Sequence, residues 1–569
     1  MKRLNLVLIT ADQMRFDCIG ALGHPDLETP HLDTLANEGV AFTRCYSATP
    51  TCIPARAALF TGQSQERHGR VGYQDGVDWD YPVTLPGELA RAGYHTHCAG
   101  KMHVWPPRSL LGFHSVDLHD GFLPYRNTGT AARQWMGRID DYLPYLQGAV
   151  GADATINDLG LGCNSWAARP WAGPERAHPT NWTVTRSADF LRRRDPTKPF
   201  FLWTSFVAPH PPLDPPAPYF ELYDRRALAP PAMGDWAVRP DPAANTADGF
   251  TAALSGPQVH AMQAGYFGLI THLDHQVGRL IRELKDEGVL NDTVVLFTSD
   301  HGEMLGDHCM LRKSQPYEGS AHVPLLLWDP GGHLGLPRGG RCTALAELRD
   351  VMPTLLAIAG VPIPGCVDGK PLLDAARAGV PVRQSLHGEH TAQSGPPHSA
   401  HYLLEGEYKY IWYSHTGREQ LFNLAADPRE LRDLAGEAAC AQTLARLRGI
   451  PGGGVYAAAG PGAGGQRRGL FGRDPAHCRA AACDGAAAPQ TVKWRMLYAD
   501  QQSGTDAARL AGGLCHSRHQ HPGRQLRHYL GLLQGRAGDA QPHYPGPLCG
   551  HRRLFRARLV RAGGQVVRK

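Results

Sequence analysis

Asp12 and Gln13 close a short apolar run, Leu4 to Thr10, and Asp300 and His301 close another, Val294 to Ser299. One carboxylate at the end of one strand is simply a turn with a solvated acid. Two such ends on parallel strands of one sheet are different. They bring two carboxylates, the amide oxygen of Gln13 and the imidazole of His301 to a single edge, where they can converge on a divalent cation. A third segment, Thr51-Cys52-Ile53-Pro54-Ala55-Arg56, runs on to Thr61-Gly62. Pro54 suits the first turn of a helix, so Cys52 lies at or just before a helix N-terminus, a position that favours anions and lowers a thiol pKa. Arg56, one turn further on, can hold an oxyanion through a forked contact.

The string Cys52-Ile53-Pro54-Ala55-Arg56, continued to Thr61-Gly62, resembles the type I sulfatase signature. In that family the cysteine is converted after translation to formylglycine (3-oxoalanine), and the fold is alkaline-phosphatase-like. Further segments are similar to the family in order and spacing. Gly100-Lys101-Met102-His103 resembles its lysine–histidine pair and Ala208-Pro209-His210-Pro211-Pro212 its leaving-group histidine segment. Ser299-Asp300-His301-Gly302-Glu303 resembles its second metal motif and Lys313 its second substrate lysine. Leu421-Phe422-Asn423-Leu424, with Asp427-Pro428 and Glu430, resembles its late C-terminal signature, so the likeness spans residues 4–435. Many members carry two adjacent acids after the first strand. Asp12-Gln13 departs from that pattern and resembles relatives of choline sulfatase and of phosphonate monoester hydrolases.

The resemblance implies hydrolysis of a small sulfate monoester to an alcohol and inorganic sulfate. It implies a partner that oxidises Cys52, either a formylglycine-generating enzyme or an anaerobic sulfatase-maturating enzyme. It also implies one divalent metal, Ca²⁺ ahead of Mg²⁺ or Mn²⁺, held by Asp12, Gln13, residue 52, Asp300 and His301. The catalytic groups carried over are Cys52, Arg56, Lys101, His103, His210 and Lys313. In that scheme a hydroxyl of the hydrated aldehyde attacks sulfur while Asp300 holds its proton, and His210 or Lys313 protonates the leaving oxygen. His103 deprotonates the second hydroxyl, and Lys101, Arg56 and Lys313 neutralise the non-bridging oxygens. The same nucleophile could serve a phosphonate or phosphate ester hydrolase, and a chain whose Cys52 stays a thiol would be an inactive homologue. His272, His275, His308 and His322 lie near the motifs without an assigned role, and the aromatic loops at Trp105, Trp166–Trp171 and Pro230–Trp236 read as packing or as a lining for the organic group.

The elements that must position these residues alternate between strand and helix. Apolar runs predict strands at Leu4–Thr10, Ala41–Tyr46, Tyr94–Ala99, Pro199–Val207, Thr293–Thr298 and Val323–Trp328. Between them, periodicity and caps predict helices at His31–Glu38, Pro54–Phe60, Pro86–Arg91, Trp182–Arg194, Gln258–Asp286 and Leu348–Ala359. This predicts an α/β fold with a central, mixed, mostly parallel sheet flanked by helices. His401–Leu424 alternates in hairpin fashion and predicts a small antiparallel C-terminal subdomain. The expected organisation is a catalytic domain at 1–395, the subdomain at 396–440 and an atypical tail at 441–569.

The tail differs in kind from the body. The 569-residue chain has a formal net charge of +5. Residues 441–569 hold 20 Lys and Arg against 5 Asp and no Glu, whereas 1–440 hold 38 basic and 48 acidic residues. The basicity therefore belongs to the tail, which reads as a frameshifted stretch of GC-rich DNA, a non-native extension or a disordered basic segment. With few aromatics and no RRM, KH or zinc motif it offers no specific nucleic-acid site. No run of 18 apolar residues predicts a membrane span, and no secretory signal precedes the first strand, so the 13 cysteines are expected as thiols in the cytoplasm. Oligomeric state is not legible, and a homo-oligomer is compatible with the sequence.

Overall fold

The first strand, β1 (Asn5–Asp12), buries all eight of its residues, as a strand covered on both faces must. Its alternate side chains enter two separate cores: Leu6 and Leu8 join one cluster, Val7 and Ile9 the other. β1 is therefore the centre of a layered α/β structure. The computed structural model describes residues 3–121, 137–156, 159–391 and 399–450.

Nine strands form the main sheet, in the order β4-β3-β5-β1-β6-β7-β2-β8, with β9 paired to β2. They are β2 (Val40–Tyr46), β3 (His95–Gly100), β4 (Ser115–Leu118), β5 (Phe200–Pro209), β6 (Thr293–Ser299), β7 (His322–Trp328), β8 (Gly340–Cys342) and β9 (Ala346–Glu347). β3, β5, β1 and β6 are neighbours and all parallel. β7 runs antiparallel to both β6 and β2, which makes the sheet mixed. The expected strands and helices are thus present, with shifted ends. The helix α2 starts at Cys52 itself and runs to Thr61, after α1 (Pro30–Glu38). The helix Gly256–Asp286 spans 31 residues and lays a buried stripe against the sheet, entered through a capping box of Ser255 and Gln258.

A second, four-stranded antiparallel sheet joins β10 (Ser385–His390), β11 (Ala400–Glu405), β12 (Tyr408–Tyr413) and β13 (Glu419–Asn423) in sequence order. It begins earlier than residue 396, because β10 belongs to it. β10 escapes sequence patterning since its inward positions are Leu386, Gly388 and His390, two of them not apolar. The helix Ala441–Arg448 packs Leu444 and Leu447 against Leu403, Tyr410 and Leu421, so packed structure also continues past residue 440. The basic stretch from 451 onward lies outside the described residues. Among the described residues, no helix is long and apolar enough to cross a membrane.

Candidate active site

Four neighbouring parallel strands end at one edge, and each end carries one of the motifs. β3 ends at Gly100 before Lys101, β5 at Pro209 before His210, β1 at Asp12 before Gln13, and β6 at Ser299 before Asp300. This is the edge where open α/β sheets place their ligands. Gly100 is needed at its turn: φ is +105°, and a Cβ there would overlap the Ser205 carbonyl oxygen.

Asp12, Cys52, Asp300 and His301 place their potential ligand atoms within 4.8 Å of one another, all buried. Cys52 Sγ lies 3.2 Å from His301 Nε2 and 3.8 Å from Asp12 Oδ1. His301 Nε2 is 3.6 Å from a carboxylate oxygen of each aspartate. The other ring nitrogen, Nδ1, is 3.0 Å from the Gly302 carbonyl oxygen, and a hydrogen bond donated there leaves Nε2 as a lone pair facing the cluster. Burial opposes charge on His301, yet Asp300 and Cys52 raise its pKa. The same negative surroundings suit a cation, and the set of two carboxylates, an imidazole and a sulfur fits a divalent metal.

Gln13 stands beside this cluster. Its backbone N–H donates to Asp300 (3.2 Å), its Oε1 accepts from Lys313 Nζ (2.8 Å) and its amide nitrogen donates to Glu303. Glu303, which sequence reasoning left without a role, also accepts from the backbone of Leu305 and Arg312, so it ties the Gln13 side chain to the loop carrying Lys313.

The cations close in from the other side. Arg56 has no exposed surface and spans the site: its Nε donates to Asp300 (3.0 Å), Nη1 to Ser205 Oγ (3.0 Å) and the Lys101 carbonyl (2.8 Å), and Nη2 lies 3.5 Å from Asp12. Lys101 pairs with Asp12 and comes within 3.9 Å of the Cys52 sulfur. Burial pushes Asp12 upward, but Lys101 first, then His210, His301 and Lys313, hold it well below the usual carboxylate range. The Cys52 thiol is raised by burial and by Asp12; Lys101, Lys313 and His301 outweigh them and lower it.

The two histidines are poised differently. His103 is buried, and both of its ring nitrogens lack a hydrogen-bond partner among the described residues. Burial, then Lys101 and Arg56, depress its pKa well below the ordinary value, so the ring is neutral and able to accept a proton. Its backbone and that of Met102 donate to Asp120 (2.9 and 2.8 Å), a second support that the sequence did not reveal. His210 Nδ1 is 2.8 Å from the Pro211 carbonyl oxygen, and Lys313 Nζ donates to His210 Nε2 at 2.6 Å. Burial and Lys313 depress His210 well below the histidine range, so its ring is neutral.

All ten residues singled out in the sequence therefore meet at one buried site. The four other histidines do not join it as reacting groups. His322 stacks between Phe16 and Tyr46 and bonds Glu318; His308 packs at a tilt against Trp236 and accepts from Gly234; His272 bonds Asn181, and His275 bonds Tyr219. Trp236 is packing, stacked on Tyr317, and Trp105 and Trp166 lean on the two cores.

Comparison with known proteins places this geometry. Residues 4–361 match the sulfatase family, and residues 306–449 match the C-terminal region of N-sulphoglucosamine sulphohydrolase. The chain is 47% identical over 450 residues to an arylsulfatase of Clostridium perfringens (strain 13 / Type A), covering 78% of this chain and 93% of that one. It is 31% identical to the choline-sulfatase of Rhizobium meliloti (strain 1021), over 76% of this chain and 82% of the relative. The crystal structure of the phosphonate monoester hydrolase of Agrobacterium radiobacter superposes with a TM-score of 0.62 at 27% identity, covering 78% and 93% of the two chains.

Proposed function

The chain belongs to the sulfatase family and is a sulfuric ester hydrolase; from that premise we propose how it works, with residue 52 as a formylglycine nucleophile and one divalent cation beside it. The observation that carries this is the convergence of Cys52, three buried cations and two unlike histidines at the ends of β3, β5, β1 and β6. A maturation enzyme with an external oxidant must first convert the thiol-bearing carbon to an aldehyde, and addition of water to that aldehyde gives residue 52 two hydroxyls on one carbon.

Asp12, residue 52, Asp300 and His301 would hold the metal, and Gln13 Oε1, which accepts from Lys313 with one lone pair, has a second that a cation can take. When bound, the cation acidifies a hydroxyl of residue 52 and draws charge from the sulfuryl oxygens. Ca²⁺ is the proposed metal, since oxygen donors dominate the set, with Mg²⁺ and Mn²⁺ as the alternatives.

This chain's own groups then divide the work. Lys101, Arg56 and Lys313 gather the sulfuryl group's negative charge in a site from which water is excluded. Lys313, hydrogen-bonded to His210, delivers a proton to the departing alcohol oxygen, directly or through His210 Nε2. His103, neutral and unpartnered, accepts the proton of the remaining hydroxyl so that sulfate can leave. Asp300, anchored by Arg56 and by the N–H groups of Gln13 and His301, holds the proton of the attacking hydroxyl.

The organic group is best read as small, and the body's cysteines Cys18, Cys45, Cys98, Cys309 and Cys342, buried as thiols, fit the reducing environment of the cytoplasm. A second reading has a specific basis, the likeness to a phosphonate monoester hydrolase. Turnover of 4-nitrophenyl sulfate, a phenyl phosphonate monoester and a phosphodiester by the same metal-loaded preparation separates the two. The sulfate rate should dominate; a phosphonate rate far above it reverses the assignment.

A further inference from the structure

Every residue so far assigned to the chemistry comes from the main sheet, its loops or the helix α2. The second sheet also reaches the site, through β10. Its buried positions alternate as Leu386, Gly388 and His390, so all three face the catalytic unit. Leu386 packs with Tyr46, Met304 and Tyr317. Gly388 has no side chain because there is no room for one: a Cβ would overlap the Tyr402 ring and come within 2.6 Å of the Ala48 carbonyl oxygen. Tyr402 itself is fixed, donating to the Ser47 carbonyl at 2.8 Å. The strand thus lies directly on the segment leading into Cys52.

His390 is then placed by its neighbours. Glu389 donates its backbone N–H to Ala48 (2.8 Å), and Thr391 donates to Val71 (2.7 Å). Tyr73, two residues beyond Val71, sets its ring edge-on to His103 at 5.7 Å. His390 therefore sits between the segment before Cys52 and the segment beside His103. It is 6% exposed, and its Nε2 has no hydrogen-bond partner among the described residues. A buried polar nitrogen left without a partner is costly, and such exceptions concentrate where a ligand completes the bond.

We propose that His390 is a specificity-determining residue, whose Nε2 hydrogen-bonds a hydroxyl group on the alcohol portion of the sulfate ester. The inference rests on the sulfate-ester reading above. The sulfuryl oxygens are already served by Arg56, Lys101 and Lys313 at the strand ends of the main sheet. His390 belongs to the second sheet instead, and a group reaching the site from there suits the part of the substrate that does not react. Burial presses its pKa down to about 4, so the ring stays neutral at pH 7. A neutral imidazole matches a hydroxyl, which can donate or accept, better than it matches another anion. The substrate class this favours is the sulfate monoester of a polyhydroxylated alcohol, such as a sugar, over a plain aryl sulfate.

The test compares wild type, His390→Ala and His390→Gln on 4-nitrophenyl sulfate and on a panel of hexose 2-, 3-, 4- and 6-sulfates, at matched folded fraction by circular dichroism. The alanine variant should lose about tenfold in kcat/KM on the preferred hexose sulfate, carried by KM, and change by less than about twofold on the phenyl ester. Glutamine, which keeps a neutral donor and acceptor, should recover part of the loss. Equal losses on both esters, no loss on either, or a wild type that cleaves the phenyl ester but no hexose sulfate would each overturn the proposal. A wild type that cleaves no sulfate ester at all defeats the sulfatase reading itself, and shows this before any variant is compared.

Discussion

His103 and His210 have the same residue type, the same burial and similar depressed basicity, yet their hydrogen bonds give them opposite tasks. His210 has both nitrogens engaged, one with a carbonyl and one with Lys313. His103 has neither engaged. Removing it as His103→Ala should cost about 10²- to 10⁴-fold in kcat with a smaller change in KM, in steady-state assays on an aryl sulfate. The sign of its pH effect follows from its environment. Burial, Lys101 and Arg56 hold its pKa well below the ordinary histidine value of about 6.5, so the base is available at neutrality and is lost only as pH falls through that depressed value. The acid limb of kcat/KM should therefore lie below the ordinary histidine value of about 6.5 and disappear in the alanine variant. An acid limb at pH 7 or above assigns the base elsewhere. The supporting residues were the part that sequence patterning could not reach. Glu303 and Asp120 act by accepting backbone N–H groups from segments far along the chain or across a turn, and nothing in residue type or spacing reports such a bond.

At the level of elements, the strand ends were legible because Asp12 and Asp300 each follow a continuous apolar run, the mark of a strand buried on both faces. β8 and β9 were too short to show a period, and β10 was hidden because glycine and histidine occupy two of its inward positions. Those two residues press β10 onto the segment before Cys52, so the element hardest to read is one that shapes the site. The second sheet is also held by charge. Lys409, fully buried on β12, contacts Glu318 at 2.9 Å and Glu430 at 3.0 Å, and Glu318 in turn bonds His322 on β7. Lys409→Met leaves buried Glu430 and partly buried Glu318 without their cation. It should destabilise the protein by about 3–5 kcal/mol, seen as a clear fall in the thermal midpoint. A midpoint unchanged from wild type would mean that water or another group compensates the pair.

Across the whole molecule, the net charge of +5 misleads, because the acidic body and the basic tail are unlike. Attraction of an anionic ester is local, supplied by Arg56, Lys101 and Lys313 around one pocket. The family matches run to residue 449, and the packed helix Ala441–Arg448 ends just short of it. The residues needed for turnover should accordingly lie within 1–450. A chain truncated after Ile450 should retain the kcat and KM of the full-length protein on an aryl sulfate within about threefold. A loss of two orders of magnitude with folding intact would give the tail a part in the site.

The central claim is that Cys52 is the precursor of the nucleophile rather than the nucleophile itself. Cleavage after Arg44 and Arg56 yields the peptide 45–56, which contains both Cys45 and Cys52. In a preparation that turns over sulfate ester, after alkylation of thiols, fragmentation of this peptide should show Cys45 alkylated and residue 52 as an aldehyde, about 18 Da lighter than a free cysteine. An equally active preparation in which both cysteines are alkylated throughout would contradict the account.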